Sequence, residues 1–323
     1  MLADRQLVAF EPEENGRWRR IGASTETRYR KCQNYELENV CNWMVAADDP
    51  NPYCESCRLT QVIPALRKPE NLQRWFRLEQ AKRRLIYSLY GLRLPLKSRE
   101  EDPEHGLAFQ FLEDVTPDQR VLTGHDHGII TLNVAEADDA KREEMRTALH
   151  EPYRTLLGHF RHEIGHYYWD VLIDNTPRIE QFRALFGDER QSYADAIDRH
   201  YRNGPPADWP NQYISAYASM HPWEDWAESW AHALHMNDGL HTAQHWGFSL
   251  HPEDTDKAPA GEVVVTQRVS DFDARYLEQW MPLTRFLNSL NRSLGHADAY
   301  PFTVAPPVLE KLRFVDAVIR ERR

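Results

Sequence analysis

The 323-residue sequence lacks any apolar run long enough to span a membrane, because a transmembrane helix needs about 18 or more consecutive apolar residues. Its first twenty residues also lack the apolar stretch that is typical of a signal peptide. We therefore expect a cytoplasmic protein that makes no contact with a membrane. A content of 41% hydrophobic and 28% charged residues is ordinary for a globular protein, and the length allows two domains.

Basic residues are also in short supply, since 39 of them stand against 50 acidic residues and give a net charge of -11. Proteins that bind nucleic acids normally carry a basic surface, so nucleic acid is an unexpected partner for the whole chain. The charge is uneven, however: residues 1–100 hold 18 basic and 13 acidic side chains, and the excess of acid lies entirely after residue 100. This asymmetry indicates two modules, of which only the first has the charge to contact a nucleic acid.

Cysteine is absent outside one short window, which holds all four cysteines of the chain: Cys32, Cys41, Cys54 and Cys57. The last two form a C-x-x-C pair, and four thiolates make a closed tetrahedral site for a structural zinc ion. The gap between the first two cysteines is longer than in most such sites. A redox C-x-x-C pair or unrelated thiols are the alternatives, whereas disulfides are disfavoured in the cytoplasm.

The pattern of apolar residues and turn signals predicts an α+β fold that is mainly helical with a small sheet. Residues 1–31 are polar and weakly periodic, and we expect a loosely structured N-terminal arm there, followed by a turn-rich cysteine module. The predicted elements are a helix at 69–91, a hairpin with a turn at 124–128 and GIITLNV as its second strand, helices at 138–148, 151–173, 177–187, 221–236 and 274–294, and a loop at 239–268.

Histidine is abundant by contrast, with eleven of the fifteen histidines between positions 150 and 251. His162 and His166 are separated by four residues, so on a helix they share one face and can bind one zinc ion. Glu163, between them, could then act as general base on a zinc-activated water that attacks a peptide carbonyl. The alternative is a hydrogen-bonded polar cluster, but the apolar neighbours predict a core helix on which a metal would satisfy these side chains.

A catalytic zinc ion needs a third protein ligand. The metzincin pattern would require Gly and His where this chain has Trp169 and Leu172, so that class is excluded. Glu224 and Glu228 share a face of a later helix, and one could bind zinc while the other accepts the second ring N–H of a zinc-bound histidine. Glu224 is our expected ligand, and Glu228 with His232 as its partner is the alternative.

Four long runs carry a resemblance to bacterial zinc-binding metallopeptidases with an N-terminal zinc ribbon: CNWMVAADDPNPYCESC, TGHDHGIITLNVAEADD, GHFRHEIGHYYWD and SAYASMHPWEDWAESWAH. The resemblance extends from Cys32 almost to the C-terminus. A shorter one links the segment from Tyr217 to Glu228 with anthrax lethal factor and, more loosely, with Mlc titration factor peptidases. It implies that Glu224 is a zinc ligand, that Glu228 supports it from outside the metal shell, and that Tyr217 stabilises the transition state.

These observations predict a peptidase of the gluzincin type with one catalytic and one structural zinc ion and a peptide or protein as substrate. Its domains would be an N-terminal arm and cysteine module at 1–62 and a zincin-like metallopeptidase domain at 63–323. We also expect GIITLNV to be the edge strand that binds an extended substrate. The alternative function is a catalytically silent, zinc-containing adaptor that binds a partner protein.

Overall fold

The computed structural model describes residues 8–22, 24, 26–114, 116, 120–148, 155–250, 263–266 and 269–321. Three predicted features lie partly outside these residues: the start of the N-terminal arm, the first turn of the helix expected at 151–173, and residues 251–262, 267 and 268 of the loop expected at 239–268. The chain divides after Tyr167 into two compact units. This division falls inside one continuous helix, and each unit is described by itself.

The first unit begins with a four-stranded antiparallel sheet in the order β1-β2-β3-β4. Its elements are β1 (Phe10–Pro12), β2 (Trp18–Arg20), β3 (Arg28–Lys31), the short helix α1 (Gln33–Glu36) and β4 (Met44–Ala46). The expectation of a loosely structured arm is therefore wrong for these residues. Trp18 lies opposite Tyr29 across the sheet, and the rings of Phe10 and Tyr29 are 5.1 Å apart. Such aromatic contacts between strands stabilise the sheet, which the polar composition of residues 1–31 did not indicate.

A second four-stranded sheet in the first unit has the order β5-β6-β8-β7. Its strands are β5 (Thr60–Val62), β6 (Ala108–Leu112), β7 (Gly124–Asp126) and β8 (Ile129–Asn133). The predicted hairpin is confirmed, but its turn is only His127 and Gly128, with φ angles of 43° and 84°. Two positive φ angles are typical of a type I′ turn, whose twist matches the flanking strands.

The position of β8 corrects the prediction that GIITLNV is an edge strand. β8 pairs in parallel with β6 on one side and antiparallel with β7 on the other. The error arose because the sequence interpretation included neither the strand character of AFQFL, which forms β6, nor that of the GHD segment, which forms β7. Among the strands that the structure describes, β7 is the edge of this sheet on the hairpin side.

Three helices complete the first unit: α2 (Pro69–Gly91), α3 (Asp139–Ala148) and α4 (Leu156–Leu172), which continues into the second unit. Their positions agree with the predicted helices. On α4, the ring of Phe160 lies 5.7 Å from that of Phe109 and 6.3 Å from that of Phe111, both on β6. The first turns of α4 are thereby fixed on the sheet by buried aromatic side chains.

The second unit is built mainly from helices, several of which the sequence interpretation located. Its elements are the end of α4, α5 (Ile179–Phe186), α6 (Tyr193–Asn203), α7 (Pro222–His245), β9 (Ser249–Leu250), β10 (Val263–Val264), α8 (Phe272–Ala274), a π-helical turn (Arg275–Trp280), α9 (Met281–Ser293) and α10 (Pro306–Arg320). α7 extends beyond its predicted end, into the region expected to be a loop. α6 and α10 were not predicted. Helices with small sheets confirm the α+β class.

An aromatic cluster packs the end of α4 against α7 in the second unit. Tyr168 stacks on Trp230 with ring centroids 4.9 Å apart, and Trp169 contacts Trp223 at 5.9 Å. Trp226 and Trp230, both fully buried, are 5.5 Å apart on the same helix. This agrees with the expectation that α7 is largely a core helix.

Among the described residues, no helix has both the length and the apolar character needed to cross a membrane.

A buried ion pair within α2 is hydrogen-bonded to β5 in the first unit. Lys82 and Glu79 are fully buried, and their charged groups are 3.0 Å apart. Thr60 of β5 donates a hydrogen bond to Glu79 over 2.8 Å, and Lys82 also contacts the Thr60 hydroxyl. The Lys82 ammonium additionally lies 5.5 Å from the ring centre of Phe109.

We predict that Lys82→Met lowers the free energy of unfolding by up to about 3–5 kcal/mol, because it removes the nearer of the two cations beside the buried Glu79 carboxylate and leaves only Arg83, 3.9 Å away. Urea denaturation of the zinc-loaded chain measures the change. Arg84→Met is the matched control, since Arg84 is exposed on the same helix and should change stability by less than about 0.5 kcal/mol. Equal effects of the two substitutions would show that the ion pair carries no special weight.

Candidate metal centres

The four cysteines lie together in the first unit. Their sulfur atoms all lie within 4.8 Å of one another, and all four side chains are buried. Cys32 follows β3, Cys41 precedes β4, and Cys54 and Cys57 flank a short turn that leads to β5. The antiparallel pairing of β3 with β4 therefore brings the first two ligands to the same end of the sheet as the C-x-x-C pair.

The backbone around this cysteine cluster is arranged for thiolates. The amide of Trp43 donates to Cys41 Sγ at 3.4 Å, and the amide of Cys54 donates to Cys32 Sγ at 3.3 Å. The turn-rich character of ADDPNPYC is confirmed, since Asp49 and Asn51 each accept a hydrogen bond from the amide two residues further on.

Sulfur geometry distinguishes a metal site from a disulfide in this cluster. All four cysteines are free, and the Cys41 and Cys54 sulfur atoms are 3.7 Å apart, far beyond the ~2.05 Å of a disulfide. The neighbouring thiols, Cys41 foremost, hold the pKa of Cys32 well below its usual range, while Cys32 and the other thiols raise the pKa of Cys57. Four buried sulfur atoms with amide donors fit a tetrahedral zinc ion.

The HExxH segment lies on α4. The Nε2 atoms of His162 and His166 are 3.3 Å apart, and their rings meet edge to face with centroids 5.0 Å apart. Glu163 and His166 are buried, and His162 is half-buried. Spacing of i and i+4 on one helix therefore directs both imidazoles to one point, as expected from the sequence.

Three side chains offer ligand atoms for a second metal ion. One atom each from His162, His166 and Glu224 lies within 4.8 Å of the other two. Two imidazole nitrogens and one carboxylate oxygen are a donor set that suits zinc and leaves a further coordination position open. Of the two glutamates that the sequence left in competition, Glu224 is the one in this group.

Glu224 is held by contacts at the start of α7. Its side chain is 2% exposed, and the hydroxyl of Tyr193 on α6 donates to Glu224 Oε1 at 2.8 Å. Sequence reasoning missed Tyr193, which lies 31 residues upstream in a segment without any recognised motif. Such an i to i+31 relationship has no periodic signature, so only the fold could reveal it.

Glu228 contacts the turn that carries Tyr217. Ser215 Oγ donates to Glu228 Oε2 at 2.7 Å and accepts a hydrogen bond from the amide of Ala218 at 3.1 Å. The short 3₁₀ turn Tyr217–Ser219 is thus tied to α7 through one hydroxyl group. Tyr217 itself contacts the ring of His200 edge to face at 6.1 Å.

His125 lies in the segment 124–128 that the sequence predicts to be a turn, but the structure places it on β7. Its side chain is only part-exposed, and its ring lies parallel to that of His166 with centroids 6.4 Å apart. The amide of Gly128 donates to His125 Nε2 at 2.9 Å. Burial, aided by the neighbouring His166, lowers the pKa of His125 to about 3 and keeps the ring neutral.

Comparison with known proteins gives two matches to family models. Residues 71–318 match the family described as "Putative zinc-binding metallo-peptidase", and residues 1–68 match a zinc-ribbon domain. The chain belongs to this metallopeptidase family. The resemblance to zinc-binding metallopeptidases with an N-terminal zinc ribbon is confirmed, whereas the resemblance to anthrax lethal factor stays a prediction. The match supports a hydrolase that uses zinc. The predicted domain boundary at 62/63 stays a prediction.

Relatives of this family member occur in mycobacteria. Uncharacterized proteins of Mycobacterium bovis and of two strains of Mycobacterium tuberculosis are each 44% identical to it over 307 residues. Each match covers 95% of this chain and 87% of the relative. No solved structure matches the chain.

His232, the expected partner of Glu228 in the alternative ligand assignment, contacts Tyr300 in the structure. Its Nδ1 atom is 2.8 Å from the Tyr300 hydroxyl, and the side chain is 4% exposed. Burial lowers the pKa of His232 from 6.5 to about 4. The unfolded chain therefore binds a proton between pH 6.5 and 4 that the folded chain does not bind, and the free energy of unfolding falls as the pH is lowered through this window.

We predict that His232→Gln reduces this acid-induced loss of stability by up to roughly 3 kcal/mol, because glutamine cannot take up the proton. Urea denaturation at a series of pH values between 7.5 and 4 measures it. His245→Gln, at the exposed end of the same helix, should leave the pH dependence close to that of the wild type. Parallel pH profiles for the wild type and His232→Gln would contradict the assignment.

Proposed function

We propose that this family member is a zinc-dependent peptidase in which His162, His166 and Glu224 bind the catalytic zinc ion. The observation that carries the proposal is the proximity of their three ligand atoms, all within 4.8 Å of one another, beside the buried Glu163. The cysteine cluster would bind a second zinc ion with a structural role, since four thiolate ligands leave no position open.

Glu163 would be the general base. When bound, zinc would polarise the scissile carbonyl and make water more acidic. In the proposed reaction the Glu163 carboxylate takes the proton from the attacking water and delivers it to the leaving amine. A general base must lie within hydrogen-bond reach of the water, and the position of the buried Glu163 on the same helix as His162 and His166 supports this role.

Tyr217 would donate a hydrogen bond from its hydroxyl group to the oxyanion that develops on the substrate. The support is its place on a turn whose start is fixed by the contacts of Ser215 with Glu228 and Ala218. A donor for a developing charge must be held in place before the reaction, because reorganisation during the reaction costs energy. In this proposal Glu228 does not touch the substrate; through Ser215 it holds in place the turn that carries Tyr217.

The proposed substrate is a peptide or protein bound in extended form along β7. The support is the place of β7 at the edge of the sheet and of His125, one of its three residues, close to His166. Strand addition at a sheet edge is a common way to bind peptides. β7 takes over the role that the sequence interpretation gave to GIITLNV.

We predict that purified protein contains two zinc ions per chain and that His162→Ala and Cys32→Ser each retain one. Each substitution removes a ligand from a different proposed site, so the losses should be independent. Elemental analysis of the purified proteins measures the content. Unchanged zinc content in His162→Ala would contradict the catalytic site, and unchanged content in Cys32→Ser would contradict the structural site.

We predict that Glu163→Gln lowers the rate of peptide cleavage by about 10²–10⁴-fold, because glutamine cannot accept the proton. A peptide library with mass-spectrometric detection, with and without a chelator, measures cleavage. The zinc content should stay at the wild-type value, since Glu163 is not a proposed ligand. If Glu163→Gln keeps full biological activity, a catalytically silent adaptor replaces the peptidase as the best interpretation.

A further inference from the structure

The hydroxyl of Tyr193 donates a 2.8 Å hydrogen bond to a carboxylate that is almost fully buried. A buried carboxylate needs such donors, because its transfer out of water is costly without them. A phenol bound to one carboxylate oxygen also fixes the rotation of the carboxyl group, and with it the direction in which the group is presented to a cation. The hydrogen bond from Tyr193 would therefore set the orientation in which Glu224 meets the metal that it is proposed to bind.

Tyr193 is itself held in place by the start of α7. Its ring meets the ring of His221 edge to face at 5.3 Å and that of Trp223 at 6.3 Å. It is the first residue of α6, whose preceding Ser192 accepts a hydrogen bond from the amide of Asp195 at 3.2 Å. The phenol therefore occupies a defined position at the first turn of a capped helix.

His221 joins the beginnings of α6 and α7. Its Nδ1 atom accepts a hydrogen bond from the amide of Trp223 at 3.1 Å, so the proton of the neutral ring lies on Nε2. That atom lies 3.2 Å from the carbonyl oxygen of Gln191, to which it donates. Tyr193 and Glu224 are thus carried by two helix starts that one histidine connects.

We propose that Tyr193 is a positioning residue for the catalytic metal: its hydroxyl orients the Glu224 carboxylate and so raises the affinity of the site for zinc. This inference rests on the proposed function, because it takes Glu224 as a zinc ligand. Partners that hydrogen-bond to metal ligands commonly contribute 10–100-fold to metal affinity.

The test uses the zinc-loaded full chain and the variant Tyr193→Phe. A moderate chelator removes zinc until one ion per chain remains, and Co²⁺ is then titrated back. Absorption without a thiolate-to-cobalt charge-transfer band shows that the refilled site has nitrogen and oxygen ligands rather than cysteines. Tyr201→Phe is the matched control, because Tyr201 lies on the same helix and its side chain is 66% exposed.

We expect Tyr193→Phe to bind Co²⁺ at this site about tenfold more weakly than the wild type, and Tyr201→Phe to match the wild type. In a Glu224→Gln background, Tyr193→Phe should cause no further loss. Phenylalanine keeps the ring contacts with His221 and Trp223, and equal thermal unfolding of the two tyrosine variants excludes a general loss of folding.

Two results would overturn the inference: wild-type Co²⁺ affinity in Tyr193→Phe, or an equal loss in the Glu224→Gln background, which would show that Tyr193 acts by another route. The proposed function fails separately. If the wild type refills the site and cleaves no peptide, the peptidase proposal is wrong while the positioning role stands. If the wild type takes up no metal at nitrogen and oxygen ligands, both are wrong.

Discussion

Burial of groups that prefer water is the constraint on which the rest of this structure depends. α4 packs Phe160 against one sheet and Tyr168 against Trp230, yet it carries two histidines and a glutamate between those contacts. Polar groups in such a position destabilise a fold unless partners satisfy them. As thiolates, the four buried cysteines of the first unit would pose the same problem, because a buried charge is costly without a partner. A metal ion would satisfy the buried side chains at both places, so the zinc ions that we propose for catalysis and for structure would also stabilise the fold.

Much of the helical framework could be predicted from the sequence because its signals are local. The periodic apolar residues of α2, the proline and glycine that delimit α5, and the i and i+4 histidines of α4 each lie within a few turns of one helix. The spacing of the cysteines similarly indicated a single cluster, which the structure confirms. The structure contains these features as predicted, because the tertiary contacts favour the same local conformations as the sequence does.

The predictions that were wrong or missing concern features that depend on contacts between residues far apart in the sequence. β1, β2 and β3 consist of three or four residues each, and their polar sequences become strands only because Phe10, Trp18 and Tyr29 meet across the sheet. The edge of the second sheet depends on how β6 pairs with β8, which no local pattern encodes. Tyr193 shows the same limit at the candidate site, because its partner Glu224 is reached only through the packing of α6 against the start of α7.

The two-residue turn between β7 and β8 bears on how many main-chain hydrogen bonds a bound peptide could form with β7. The turn fixes one end of β7, which pairs with β8 over only three residues, and hydrogen-bonded and non-hydrogen-bonded pairs alternate along an antiparallel ladder. Only one or two of the three residues can therefore direct their main-chain groups outward. Each such hydrogen bond contributes about 0.5–1.5 kcal/mol, so backbone pairing alone would give a peptide little affinity. Discrimination among sequences would then depend on how side chains on either side of the cleaved bond are accommodated, and short generic peptides would be poor substrates.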